Sequence, residues 1–213
     1  MVTCFTRAMK ARKQFASDPG RDVKLMLRVK QGNLEAFETI YNNYKASLGA
    51  FFYHLVWDRS RTEDYIQEVF IRLWKAAGNY QPTGKFSTFL FQIAKNFWLN
   101  ERRKLGHDLA RFSLDAKIAG DDGSRFSLQP PSPGPTPSTV VARAELKARV
   151  QEALDSLPEK QSLVFVMSEF QGLKYHEIAE VLDIPIGTVK SRMARAEKLL
   201  RKKLSRYLAD HRR

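Results

Sequence analysis

The stretch PEKQSLVFVMSEFQGLKYHEIAEVLDIPIGTVKSRMARAEKLLRKKL, residues 158–204, carries three successive helical patterns, the last of them basic on one face. A short helix, a tight turn at Asp183-Ile184-Pro185-Ile186 and a second helix opening at Gly187-Thr188 form the pattern of a helix-turn-helix. In that last helix Val189, Met193, Ala196, Leu200 and Leu204 share an inward face. Ser191, Arg195, Lys198 and Lys202 share the opposite face, and Thr188, Lys190 and Arg192 flank it near the start. A recognition helix enters the major groove with its N-terminal residues at the base edges. Arginine can take guanine O6 and N7 together, serine can contact several bases, and lysine most often holds phosphate. The candidate duplex contacts are therefore Thr188, Lys190, Ser191, Arg192, Arg195 and Lys198. Lys198 and the cations after it lie too far along for base readout and would add salt-dependent backbone affinity. By spacing alone, a solvated basic helix or one docking on an acidic protein stays open.

Composition points the same way. The 213 residues carry a net charge of +13, which favours a polyanionic partner, nucleic acid before an anionic membrane surface. The charge is clustered: residues 190–206 hold eight lysines and arginines against the single acid Glu197. A second basic cluster, with Arg7, Lys10, Arg12, Lys13 and Arg21, lies near the N-terminus. The one cysteine, Cys4, allows no disulfide framework and no metal-ligand set, as expected of a reduced, cytoplasmic setting. No apolar run approaches the roughly 18 residues of a membrane span, so no stable membrane insertion is expected. Signal-peptide features are absent too.

The sharpest shift in composition is GDDGSRFSLQPPSPGPTPST at 120–139, where five prolines interrupt any helix. It reads as a linker, extended in its proline part. The expected fold is all-α: two small helical domains joined by a Pro-rich linker, the C-terminal one containing the helix-turn-helix. The expected boundaries are a basic extension at 1–20, a first domain at 21–106, a flexible linker at 107–138 and a second domain at 139–213. In the first domain Asn33 can cap a helix running to about Trp57. Ser60 and Glu63 have capping-box spacing for a helix over about 61–77. Another runs from Phe86 to about Lys104. In the second domain a helix runs from Thr139 to about Ser156, and Pro158 opens the next, which Gly172 ends.

Two segments of the first domain carry more than core. In the 61–77 helix Tyr65, Ile66, Val69, Phe70, Leu73 and Trp74 form one apolar face. The opposite face holds Asp64, Gln67, Glu68, Ile71 and Lys75, and acids around an isoleucine in a basic protein suit a partner surface. A lone exposed apolar residue is also ordinary. The segment 78–104 interleaves aromatics, amides and cations, a mixture that suits single-stranded nucleic acid. Helical spacing assigns Phe86, Phe89, Leu90, Ile93 and Phe97 to the core. It leaves Lys85, Ser87, Thr88, Lys95, Asn96, Asn100, Arg102 and Arg103 for solvent, with Tyr80 in the preceding loop.

These residues resemble a known family. EDYIQEVFIRLW at 63–74 is similar to the core-binding helix of bacterial sigma factors, and FSTFLFQIAKN at 86–96 to the promoter-melting segment that follows it. LDSLP at 154–158 and GTVKSR at 187–192 look like landmarks of the C-terminal DNA-binding domain. Two such domains with a short linker between them resemble the extracytoplasmic-function group. The match spans nearly all of 21–206.

The resemblance implies a transcription initiation factor without enzymatic activity and without a cofactor. It would bind the RNA polymerase core, direct it to specific promoters and assist their opening. Asp64, Gln67, Glu68 and Ile71 would meet the clamp of the largest subunit; the flap of the second-largest subunit is a further expected contact. Tyr80, Lys85, Ser87, Thr88, Lys95, Asn96, Asn100, Arg102 and Arg103 would take the −10 element as it melts. Thr188, Lys190, Ser191, Arg192, Arg195 and Lys198 would read the −35 element as duplex. Members of the group are commonly held by an anti-sigma factor, at the membrane in some cases. Phe89 stands where the family often has tryptophan, and Asn100 where an aspartate is common. The alternative is a stand-alone helix-turn-helix regulator that binds duplex DNA without polymerase. Nothing in the first half suggests the ligand pocket such a regulator would use. The chain also lacks paired carboxylates at metal spacing, a phosphate-cradling glycine loop and a Cys/His site, which argues against a nucleic-acid enzyme.

Overall fold

Asn33 begins a 23-residue helix by the expected chemistry: its side-chain oxygen accepts the Ala36 N–H at 2.8 Å. That helix is the second of four that build the domain. They are α1 (Pro19–Lys30), α2 (Leu34–Val56), α3 (Arg59–Ala76) and α4 (Phe86–Phe112), with a 3-10 turn at Ala77–Asn79 after α3. The computed structural model describes residues 19–112 and 148–210, and side chains within 19–104 and 148–205. The expected extension at 1–18 and most of the linker lie outside the described residues, as does the start of the helix expected from Thr139. Among the described residues all regular structure is helical.

The cap of α3 differs from the expectation. Asp58, not Ser60, accepts the Arg61 N–H at 3.0 Å, and the helix starts at Arg59. Both residues are competent caps; Asp58 wins because Thr62 also returns its hydroxyl to the Asp58 carbonyl at 2.6 Å. The helix expected to stop near Lys104 continues to Phe112.

Aromatic rings fill the first core. Phe51, Phe52 and Phe91 are buried, and Phe52 meets Tyr65 and Phe97 edge-on at 5.4 and 5.9 Å. Such edge-to-face pairs place the positive ring edge on the negative face, adding about 0.5–1.5 kcal/mol each beyond area burial. Asp22 of α1 is buried too, where it accepts the Tyr44 hydroxyl at 2.6 Å. That bond ties α1 to α2.

The second domain comprises α5 (148–155), α6 (Glu159–Glu169), α7 (Tyr175–Leu182) and α8 (Ile186–Asp210). Gly172, at φ +66°, lets the chain reverse after α6 while the Leu173 N–H reaches back to the Met167 carbonyl at 3.1 Å. Asp183, at φ 54°, performs the same reversal after α7, in the left-handed region that aspartate tolerates better than most residues. Pro185 then accepts the Thr188 and Val189 N–H groups as α8 begins. Val189, Met193, Ala196 and Leu200 are buried against α6 and α7, as their spacing requires.

The two domains pack on each other. Ser47 of α2 sits 2.6 Å from the Gln171 amide, and the Trp57 indole N–H donates to Asp155 Oδ1 at 2.8 Å. His54 stacks on Phe170 with ring centroids 3.6 Å apart. Helix α4 runs against α7.

Candidate nucleic-acid interface

The start of α8 faces outward beside the start of α6. A groove between them is lined by Pro158, Glu159, Lys160, Gln161, Thr188, Ser191, Arg192 and Arg195. It gathers four of the six expected duplex contacts into one concavity. Lys190, Ser191, Arg195 and Lys198 are exposed, and Thr188 and Arg192 are half-buried. Ser191 spends its hydroxyl on the Thr188 carbonyl at 3.0 Å, a local bond that a DNA acceptor could replace. The groove thus presents two guanidinium groups and two hydroxyls along the first turns of α8, and the helix N-terminus beside Thr188 favours phosphate.

On α3 the face away from the core is as expected. Asp64 and Gln67 are exposed, Glu68 is half-buried, and Ile71 is 47% exposed. Glu68 Oε1 accepts Arg72 Nε at 2.8 Å, so one acid of this face is already paired within the helix. Trp74, assigned to the core by spacing, is 38% exposed. Its ring meets Phe37 edge-on at 5.1 Å.

The candidates on and before α4 divide. Asn96, Asn100, Arg102 and Arg103 are exposed, and Ser87 and Lys95 are half-buried. The Arg102 guanidinium lies 5.6 Å over the Trp98 ring. Tyr80 and Thr88 are corrections to the expected solvent set: they are 3% and 6% exposed. Tyr80 packs its ring on Phe89 at 5.0 Å and on Phe86. Burial and the nearby Asp22 charge push its phenol above the ordinary value, which keeps it neutral. Thr88 is buried, and its hydroxyl has no hydrogen-bond partner among the described residues.

Lys85 is exposed, but it is engaged. Its Nζ donates to Glu177 Oε1 at 2.6 Å. Glu177 also accepts the Lys174 N–H at 2.7 Å, which caps α7. Burial raises its carboxyl pKa, but hydrogen bonds from Lys85 and Lys174 and the charges of Lys85 and His176 outweigh burial and hold it below the ordinary value. Glu177 thus caps its own helix while buried, and its charge partner comes from the other domain.

Comparison with known proteins settles the family. The model described as "Sigma-70 region 2" matches residues 40–107, and "Sigma-70, region 4" matches 147–200. The ECF RNA polymerase sigma factor SigW of Bacillus subtilis is 35% identical over 181 residues, which are 85% of this chain and 95% of that one.

The chain belongs to the sigma-70 family, in its extracytoplasmic-function group.

The RNA polymerase sigma-H factor of Pseudomonas aeruginosa is 30% identical over 89% of this chain and 97% of its own length. Among solved structures, CnrH in complex with the cytosolic domain of CnrY has the same fold, with a TM-score of 0.63 at 24% identity. It covers 87% of this chain and 97% of that one. RpoE in complex with the anti-sigma factor NepR from Bartonella quintana has a TM-score of 0.60 at 21% identity, over 79% and 96%. A sigma factor of this kind is a polymerase-binding transcription initiation factor, so the stand-alone regulator is not favoured. Region 4 contains the helix-turn-helix, and region 2 spans both α3 and the 80–103 segment. No helix among the described residues is long and apolar enough to cross a membrane.

Proposed function

We propose that this sigma factor grips the polymerase core with the outer face of α3 and reads a promoter at two points. Asp64, Gln67 and Glu68 supply the charged and polar contacts to the clamp of the largest subunit, with Ile71 as the apolar centre. Well-packed apolar anchors ringed by polar groups carry most of the binding energy in such interfaces. The exposed start of α8 reads the −35 element as duplex, Arg195 and Ser191 at base edges and Lys198 at phosphate. The stripe on α4 from Lys85 through Asn96 to Arg103 takes the melted −10 strand, with cations on phosphates and amides on base edges. The observation that carries this reading is the groove that joins Thr188, Ser191, Arg192 and Arg195 on the outer side of a region-4 domain, opposite its core.

An anti-sigma factor is a further expected partner. The two solved relatives of the same fold are each recorded with a bound protein, an anti-sigma factor in the case of NepR, which supports the expectation. The protein would act in the cytoplasm.

Footprinting tests the reading. The purified factor alone is expected to protect a promoter weakly, and addition of polymerase core to give protection at both elements. Strong, sequence-specific protection without core, unchanged when core is added, would favour the stand-alone regulator.

A further inference from the structure

Lys85 just before α4 and Thr88, Gln92, Asn96 and Arg103 on it follow one another at spacings of three, four, four and seven residues, so they form one stripe. Helix α7 covers its first part. Lys85 Nζ meets Glu177 Oε1 at 2.6 Å, and Gln92 Nε2 donates to the Glu180 carbonyl at 3.0 Å. Thr88 lies between those two residues and is buried with its hydroxyl unpartnered. Asn96 and Arg103, beyond the reach of α7, are exposed.

We propose that α7 is an autoinhibitory mask, in which the Glu177 carboxylate holds Lys85 in the place of a DNA phosphate and the second domain shuts the melted-strand site. This rests on the assignment of the α4 stripe to −10 DNA. The closed arrangement also prevents two-point reading. Helix α7 packs on both α4 and α8, so about two helix diameters, or about 20 Å, separate the stripe from the recognition helix. Elements centred about 25 base pairs apart lie about 85 Å apart on B-form duplex. The domains must part before both elements are held.

The contact is built to be reversible. The Lys85 side chain is 45% exposed, so salt and competing phosphates can reach the pair. The orphaned Thr88 hydroxyl disfavours closure, since a buried hydroxyl without a partner loses its hydration uncompensated. Opening returns it to solvent or to DNA.

Glu177→Gln tests the mask in the full-length chain. Glutamine keeps an oxygen for the Lys174 N–H, so α7 stays capped while the charge is lost. Glu152→Gln, an exposed change of the same charge in the second domain, is the control. Two quantities are read. One is the distance between spin labels at positions 38 and 203, by pulsed electron paramagnetic resonance with Cys4 replaced by serine. The other is affinity for a short fluorescein-labelled single-stranded DNA of mixed sequence. Glu177→Gln is expected to shift the distances to longer values and to tighten DNA binding about threefold or more relative to Glu152→Gln. Unchanged distances in Glu177→Gln would overturn the latch and leave the −10 assignment standing. Longer distances with no gain in DNA binding would overturn the masking claim through its premise, because the uncovered stripe would then not be a DNA site.

Discussion

Lys85 Nζ lies 2.6 Å from Glu177 Oε1 although ninety-two positions separate them, with the carboxylate side chain 9% exposed and the ammonium 45%. This ion pair joins the two halves of the sigma factor, and its chemistry sets how their contact responds to pH. Glu177 titrates below the ordinary carboxylate value of 4.5. A lowered folded-state pKa means that its stabilisation is complete above that value and is lost as pH falls through the lowered one. Asp155 behaves oppositely. Burial raises its pKa above 3.8 against the hydrogen bond from Trp57, so its contribution is present at acid pH and fades as pH rises. The expected outcome is domain separation only below about pH 4.5. In Glu177→Gln no acid-linked opening is expected. Spin-label distances across a pH series, with helical circular dichroism to exclude unfolding, check both.

Asp64→Arg combined with Glu68→Arg should abolish binding to polymerase core. Both residues sit on the outer face of α3, away from the aromatic core, and the Glu68–Arg72 pair is half-exposed. Losing such a pair costs about 1 kcal/mol at most, so the melting curve should shift by only a few degrees. Co-migration with core on gel filtration reads the first effect and calorimetry the second. Equal loss of core binding and of fold would contradict a surface role.

Ile71 and Leu73 make an internal comparison on one helix. Leu73 is fully buried, and Leu73→Ala should destabilise the protein by about 2–5 kcal/mol through transfer and cavity terms. Ile71 is 47% exposed, and Ile71→Ala should leave stability within about 0.5 kcal/mol while weakening core binding. Denaturant titration and core-binding isotherms together separate the two roles.

Arg195 and Lys198 should fail differently. Arg195 lines the groove beside α6, so Arg195→Ala is expected to relax base preference at one upstream position, costing about 1–3 kcal/mol. Lys198 is exposed one turn further on, so Lys198→Ala should weaken all sequences alike and reduce the salt slope by about one. Binding to a set of single-base operator variants at two salt concentrations distinguishes them.

Periodicity made most of the fold legible. The inward faces of α3 and α8 and the reversals near Gly172 and Asp183 follow from apolar spacing and turn chemistry, and the structure keeps them. The acidic face of α3 and the basic face of α8 were legible for the same reason: a helix surface is a local property. What spacing missed is non-local. Thr88 has the spacing of a solvent-facing residue on α4 and is buried alongside two bonds to α7, an element whose position no pattern within α4 reveals. Tyr80 lies in an irregular segment with no period to assign it a side, and its ring goes to Phe86 and Phe89. Glu177 carried one sequence signal, its position three residues after Lys174 at a helix start, and that signal announces a cap rather than a cross-domain partner. Trp74 has the right spacing for the core, but Phe37 covers only part of its indole.

The most direct test of the central claim is run-off transcription with purified polymerase core on fragmented genomic DNA, with every start mapped. The account predicts starts that appear only when the factor is added, share an upstream and a −10 sequence, and vanish with Asp64→Arg/Glu68→Arg. Starts that are absent, or that persist unchanged with that variant, would contradict it.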